Sequence, residues 1–184
     1  MPTYYGHSAE NRPQSDWQTL KSHVENVAAL AAQFAEPFGA ADIARYTGLL
    51  HDLGKYSDPF QLRLAGSPQR VDHATAGAKE AIARWQLMGK LMAYCIAGHH
   101  AGLANGSGEG KGRSTLQERL AAEVPPLNAV WQTEIPLPEH IAAPPLKPNP
   151  KYRGFTQAFF TRMLYSCLVD ADYLDTEAFY AKLE

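Results

Sequence analysis

With 184 residues, 45% of them hydrophobic, the chain is long enough for one domain with a substantial core, and nothing calls for two, so residues 1–184 are read as a single unit. Its 17 Lys+Arg against 19 Asp+Glu exclude a global positive field that would by itself recruit nucleic acid, and any such contact must be local or assisted by a partner. No apolar stretch is long enough to span a membrane, and the polar start Met1-Pro2-Thr3-Tyr4-Tyr5-Gly6-His7 lacks the apolar core of a secretion signal, which points to a cytoplasmic protein with no membrane partner.

From Asp16 to about Pro37, Trp17, Leu20, Val24, Val27, Ala31 and Phe34 recur at steps of three and four and predict an amphipathic helix, with His23 at the edge of its apolar face. A second helix is predicted from about Ala41 through Ile43, Tyr46, Leu49 and Leu50 to His51-Asp52-Leu53, with Gly54 as a left-handed stop. Asp72 reads as the N-cap of a helix carrying Ala74, Ala78, Ala81, Ile82 and Trp85, which places His73 in its first turn. A further helix, Leu91 to His100, aligns Met92, Cys95, Ile96 and His99, and Ser114 with Gln117 fits a capping box for a helix containing Leu116 and Leu120.

Between these last two, Asn105 to Arg113 holds four glycines in nine residues. It is expected to be poorly ordered without substrate and to line or gate a site. It is not a P-loop, because Lys111 is followed by Gly112 instead of Ser or Thr. Eight prolines from Pro125 to Pro150 predict a long proline-rich loop, wrapped onto the core by Trp131, Ile135, Leu137 and Ile141. The last helix, about Phe155 to Tyr173, is expected to turn Phe159, Met163, Ser166 and Asp170 inward. No repeat and no sustained strand-like alternation is visible, so the expected fold is an all-α, single-domain helical bundle. Cys95 and Cys167 form no CxxC and read as small buried hydrophobes.

The chemistry lies in the polar groups on these apolar faces and helix ends: His23, the pair His51-Asp52, His73, the pair His99-His100 and Asp170. Imidazole nitrogen and carboxylate oxygen suit divalent metals from manganese to zinc, and this many donors exceed what one ion needs. Burying Asp170 among Phe159, Met163 and Cys167 costs several kcal/mol unless a cation compensates, the alternative being a buried His or Arg partner. All seven residues are therefore expected around one pocket, with Asp52 shared between two ions that activate a hydroxide and stabilise charge on a phosphoryl group. Lys55 could bring its ammonium to a phosphate oxygen, or be an ordinary lysine beyond a helix end. With four or five imidazoles, the site should favour manganese, cobalt, nickel or iron over magnesium.

The set His23, His51-Asp52 and Asp170 resembles the H…HD…D pattern of the HD-domain metal-dependent phosphohydrolases, a helical superfamily. More narrowly, Tyr5-Gly6-His7-Ser8, Trp17 and Leu20 with His23, His51-Asp52-Leu53-Gly54-Lys55, His73, His99-His100 and Leu168-Val169-Asp170-Ala171-Asp172 resemble the HD nuclease domain of the CRISPR-associated nuclease-helicase of type I systems. The resemblance spans nearly the whole chain. It implies one metal on His23, His51, Asp52 and Asp170 and a second on Asp52, His73, His99 and His100. Lys55 would assist at the phosphate, and His7 would act beside the site or toward the substrate. Asp172, about 200° around the helix from Asp170, is expected to face solvent.

Implied with it are cleavage of single-stranded DNA in type I CRISPR interference and partnership with a helicase domain or subunit and the RNA-guided surveillance complex. Lys111 and Arg113 join Lys55 as candidate phosphate contacts. Family members continue into a helicase motor, whereas this chain stops at Glu184 without an ATP-binding motif, so it is expected to be an excised domain or a stand-alone subunit. The competing readings are an HD-type nucleotide or cyclic-nucleotide phosphohydrolase and a non-catalytic docking module.

Overall fold

The computed structural model describes residues 2–106, 115–152 and 154–184. Among them are seven helices, α1 Leu20–Ala35, α2 Ala41–Leu50, α3 Asp58–Leu64, α4 Ala74–Gly98, α5 Leu116–Leu120, α6 Trp131–Glu134 and α7 Phe155–Ala181. The all-α expectation holds, with one addition: strands β1 (Tyr5–His7) and β2 (Gln18–Thr19) form a small antiparallel ribbon. Two and three residues are too few for alternation to show in a sequence. The ribbon also moves the start of α1 from the expected Asp16 to Leu20. Thr19 caps the helix by accepting from the Ser22 N–H at 3.3 Å, and the Leu20 N–H donates to Tyr4 O at 2.8 Å.

Helix α1 packs on α2 and α7, and α4 packs on both α2 and α7. The shared core holds Leu20, Val24, Val27 and Ala31 of α1, Ile43 and Leu50 of α2, Met92, Cys95 and Ile96 of α4, and Leu164, Leu168 and Ala171 of α7. Each large aliphatic buried there contributes about 1.5–3 kcal/mol, which sets the helix faces. His23 is fully buried within the α1 stripe and not at its edge.

Two glycines decide how close the pieces can come. A Cβ on Gly77 of α4 would stand 1.8 Å from Leu50 O, so only glycine lets α4 lie against the end of α2. Gly54 is not the expected left-handed stop, since it is not among the positive-φ glycines. Instead its N–H donates to His73 O at 3.0 Å, and a Cβ there would meet that same carbonyl at 2.5 Å. Its bareness brings His51-Asp52 beside His73.

The two expected segments around residue 90 join as one kinked helix, α4, with the break at Gln86 (φ 47°, ψ −110°). His73 stands immediately before α4 and not in its first turn, while Asp72 accepts from the Thr75 N–H at 2.9 Å. The capping box lies one residue later than predicted, on Thr115 and Glu118; Ser114 is outside the described residues. So are residues 107–114 as a whole, and with them Lys111, Arg113 and most of the glycine-rich segment. From Pro125 to Pro150 the one regular element is α6, and Trp131 and Ile135 are buried.

Helix α7 is longer than predicted and turned differently. Its buried face runs Phe160, Leu164, Cys167, Leu168, Ala171, Asp175 and Phe179, whereas Phe159 and Met163 are 54% and 38% exposed. No helix among the described residues is long and apolar enough to cross a membrane.

Candidate metal centre

Helix α2 ends at Leu50, and its last turn runs on through His51 and Asp52 into a 3-10 turn, Leu53–Tyr56. His51 and Asp52 are both essentially fully buried. His51 Nδ1 lies 2.7 Å from Gly48 O, and His99 Nδ1 lies 2.7 Å from Ile96 O. A carbonyl only accepts, so each Nδ1 carries a proton and Nε2 is the nitrogen turned toward the carboxylates.

Those Nε2 atoms converge on Asp52. Its Oδ2 stands 3.2 Å from His23 Nε2, 3.3 Å from His51 Nε2 and 2.6 Å from Lys55 Nζ. Its Oδ1 stands 3.6 Å from His73 Nε2 and 3.5 Å from His99 Nε2. The two oxygens of one carboxylate thus face two different groups of histidines.

Asp170 does not join them. It is exposed on the outer face of α7, and the expected ligand is replaced by Asp172, whose Oδ1 lies 3.4 Å from His23 Nε2 and 3.6 Å from His51 Nε2. The two positions stand about 200° apart on the helix, and it is the Leu164 and Leu168 row, not the Phe159 and Met163 row, that faces the core. Extending the Leu164, Leu168 row by one more step of four reaches residue 172.

The other candidates fall where the convergence places them. Ligand atoms of Asp52, His73, His99 and His100 lie within 4.8 Å of one another, as do those of His23, His51 and Asp52, and those of His51, His99 and Asp172. Lys55 is no surface lysine: it is 5% exposed, donates to Gly6 O at 3.0 Å and pairs with Asp52. His7 is a neighbour, its ring edge-on to His23 with centroids 4.6 Å apart and its Nε2 3.2 Å from Thr176 Oγ1. Asp175, which the sequence reading did not single out, lies behind His23 with Oδ2 2.7 Å from Nδ1.

The electrostatics divide the site. Burial presses the His23 and His51 pKa values down, yet the neighbouring carboxylates outweigh it. Asp172, Asp175 and Asp52 hold His23 at about 9, and Asp52 and Asp172 hold His51 at about 10. Burial would raise Asp52, but Lys55, His51 and His23 keep it well below the usual carboxylate range. In the other group burial prevails and lowers both His73 and His100 to about 4.

A divalent ion fits these residues. His23 Nε2, His51 Nε2, Asp52 Oδ1, His73 Nε2 and His99 Nε2 are buried and have no hydrogen-bond partner among the described residues. Leaving such groups unsatisfied costs about 1–3 kcal/mol apiece. A cation held by the imidazole nitrogens and carboxylate oxygens would remove that cost, and the donor set is one that transition ions accept.

The HD-domain family model matches residues 20–133, a stretch that carries His23, His51-Asp52, His73 and His99-His100. The chain belongs to the HD-domain family. No curated protein matches it. HD membership brings metal-dependent phosphohydrolase chemistry, and the His/Asp cluster described above is able to hold the metal. Asp172 and Asp175 lie beyond the matched stretch of the HD domain and enter the site through the packing of α7 on α1, α2 and α4.

Proposed function

We propose that this HD protein is a metal-dependent phosphodiesterase that cleaves single-stranded DNA in type I CRISPR interference. The observation that carries the hydrolytic reading is the Asp52 carboxylate, with Oδ2 toward His23 and His51 and Oδ1 toward His73 and His99. One divalent ion would be held by His23, His51, Asp52 and Asp172, and a second by Asp52, His73, His99 and His100. Such ions supply a water of lowered pKa and a positive charge for the phosphoryl oxygens. The chain's own part is to fix the donors, and Lys55 keeps Asp52 ionised while they are assembled.

The nucleic-acid reading draws on the sequence resemblance, above all on His73 and the His99-His100 doublet beside the HD pair. A cleft of about 260 Å³ opens beside His73 and His100, flanked by Val71, Asp72 and Arg119. A cleft of that size suits one phosphodiester of a flexible strand better than a stiff duplex. The nearly balanced charge, 17 basic against 19 acidic residues, fits recruitment by a helicase domain or subunit and a surveillance complex over unaided binding. The same balance would suit a mononucleotide, so a nucleotide phosphohydrolase is the competing reading.

Metal-stripped protein given manganese, cobalt, nickel, iron, zinc or magnesium in turn, with single-stranded DNA, duplex DNA and nucleoside triphosphates, tests both. Single strands should be cut with little base preference and best with a transition ion, while duplex survives. Hydrolysis of nucleotides with no action on DNA would establish the competing reading, and robust cleavage in magnesium alone would overturn the expected metal preference.

A further inference from the structure

Three buried histidines present Nε2 to the carboxylates, and the three differ in what holds their other nitrogen. His51 and His99 use the carbonyl three residues earlier, Gly48 O and Ile96 O. Each sits at a helix C-terminus, where such carbonyls are free to accept. His23 lies within α1, where the backbone carbonyls are committed to the helix. Its Nδ1 instead meets Oδ2 of Asp175, from α7, at 2.7 Å.

Asp175 is 7% exposed. Its remaining hydrogen bonds come from neutral amides, Gln18 Nε2 to Oδ2 and Asn26 Nδ2 to Oδ1, both at 2.7 Å. Three N–H donors fix the carboxylate with Oδ2 on Nδ1, which turns the His23 Nε2 toward Asp52 and Asp172. A carboxylate that served packing alone could be an amide at lower desolvation cost.

We propose that Asp175 is a positioning residue of the metal centre: it holds the proton on His23 Nδ1, so that Nε2 is the nitrogen given to a metal, and strengthens metal binding in the group His23, His51 and Asp172. The proposal rests on the metal-binding reading of the site and not on the identity of the substrate.

The test is titration of the metal-free chain with Mn²⁺ by calorimetry. Asp172→Asn marks which binding event belongs to the His23 group, and His100→Ala marks the other. Asp175→Asn should weaken the first event by about 10–100-fold and leave the second within about threefold, and Asp175→Glu should recover most of the loss. With Zn²⁺ bound, ¹⁵N NMR should show His23 protonated at Nδ1 in the native chain and a mixture of tautomers in Asp175→Asn.

An unchanged first event overturns the proposal. So does an equal weakening of both events accompanied by a lowered melting temperature, which a purely structural role would give. Should Asp175→Asn fail to fold, Asn26→Ala and Gln18→Ala keep the charge but loosen its aim. Each should weaken the first event alone, and an unaltered event in both would overturn the proposal. If the native chain bound Mn²⁺ as expected yet left single-stranded DNA intact, the functional reading would fall while this one stood.

Discussion

The two halves of the His/Asp cluster meet at Asp52, and His99 of the outer half also lies with His51 and Asp172. In the inner half, His23 and His51 are fully buried and a second carboxylate, Asp172, faces both. In the outer half, His99 is buried, His73 partly exposed and His100 exposed beside a cleft, and Asp52 is the carboxylate grouped with all three. The inner half therefore gathers carboxylates and protonated imidazoles in a dry place, and the outer half turns the neutral His73 and His100 toward solvent. Burial and charge together teach that the halves should differ in affinity, in proton linkage and in access to substrate.

Asp52→Ala should produce the largest effect, because it removes the one residue common to both halves. Hydrolysis should fall to background and both Mn²⁺ binding events should disappear. The helical circular dichroism should persist, since packing at this turn is carried by Leu50 and Leu53. Full activity at matched metal would exclude a shared carboxylate.

A paired substitution on α7 comes next. Asp172→Asn should weaken the inner event by more than about 100-fold, as it removes a facing carboxylate and not merely an orienting one. Asp170→Asn, on the exposed face, should alter binding by no more than about twofold, the ordinary effect of a surface change. Reversal of this order would mean that the phase of α7 is wrong.

His100→Ala should then separate the halves. The outer event should be lost or strongly weakened while the inner event stays near its native affinity. Simultaneous loss of both would show that the site binds its ions as one unit.

The smallest effect is the most diagnostic of the electrostatics. With pKa values raised to about 9 and about 10, His23 and His51 are protonated at neutral pH, and a metal must displace those protons. Inner-half binding at pH 7 should release about two protons and strengthen as pH rises toward the folded pKa values. His73 and His100, lowered to about 4, are already neutral, so neither should release a proton when the outer half binds its ion. Calorimetry in two buffers of different ionisation heat measures both. Equal release from the two events would erase the electrostatic distinction.

How much of this was legible beforehand differs by residue. His23, His51-Asp52, His73 and His99-His100 could be named because they are polar groups in apolar periodic stretches or at helix ends, and each of these signals is local. Asp170 was named for the wrong phase. The exposed row of Phe159 and Met163 is as apolar as the buried row of Leu164 and Leu168, and periodicity by itself cannot say which row meets the core. The role of Gly54 was likewise misread as a turn requirement when the real constraint is the His73 backbone lying against it.

Sequence by itself therefore determined the helical class, the order of the main helices and most of the donor set, because steps of three and four, caps and the spacing of polar groups act within a few residues. Only the tertiary structure decided that Asp172 and not Asp170 faces the histidines, that Asp175 supports His23 across 152 positions of chain, and that one carboxylate is shared between two unequal halves. Those facts depend on the rotation of α7 against α1 and on the approach of Gly54 to His73. Both are set by packing among residues distant in the chain, which no local pattern encodes.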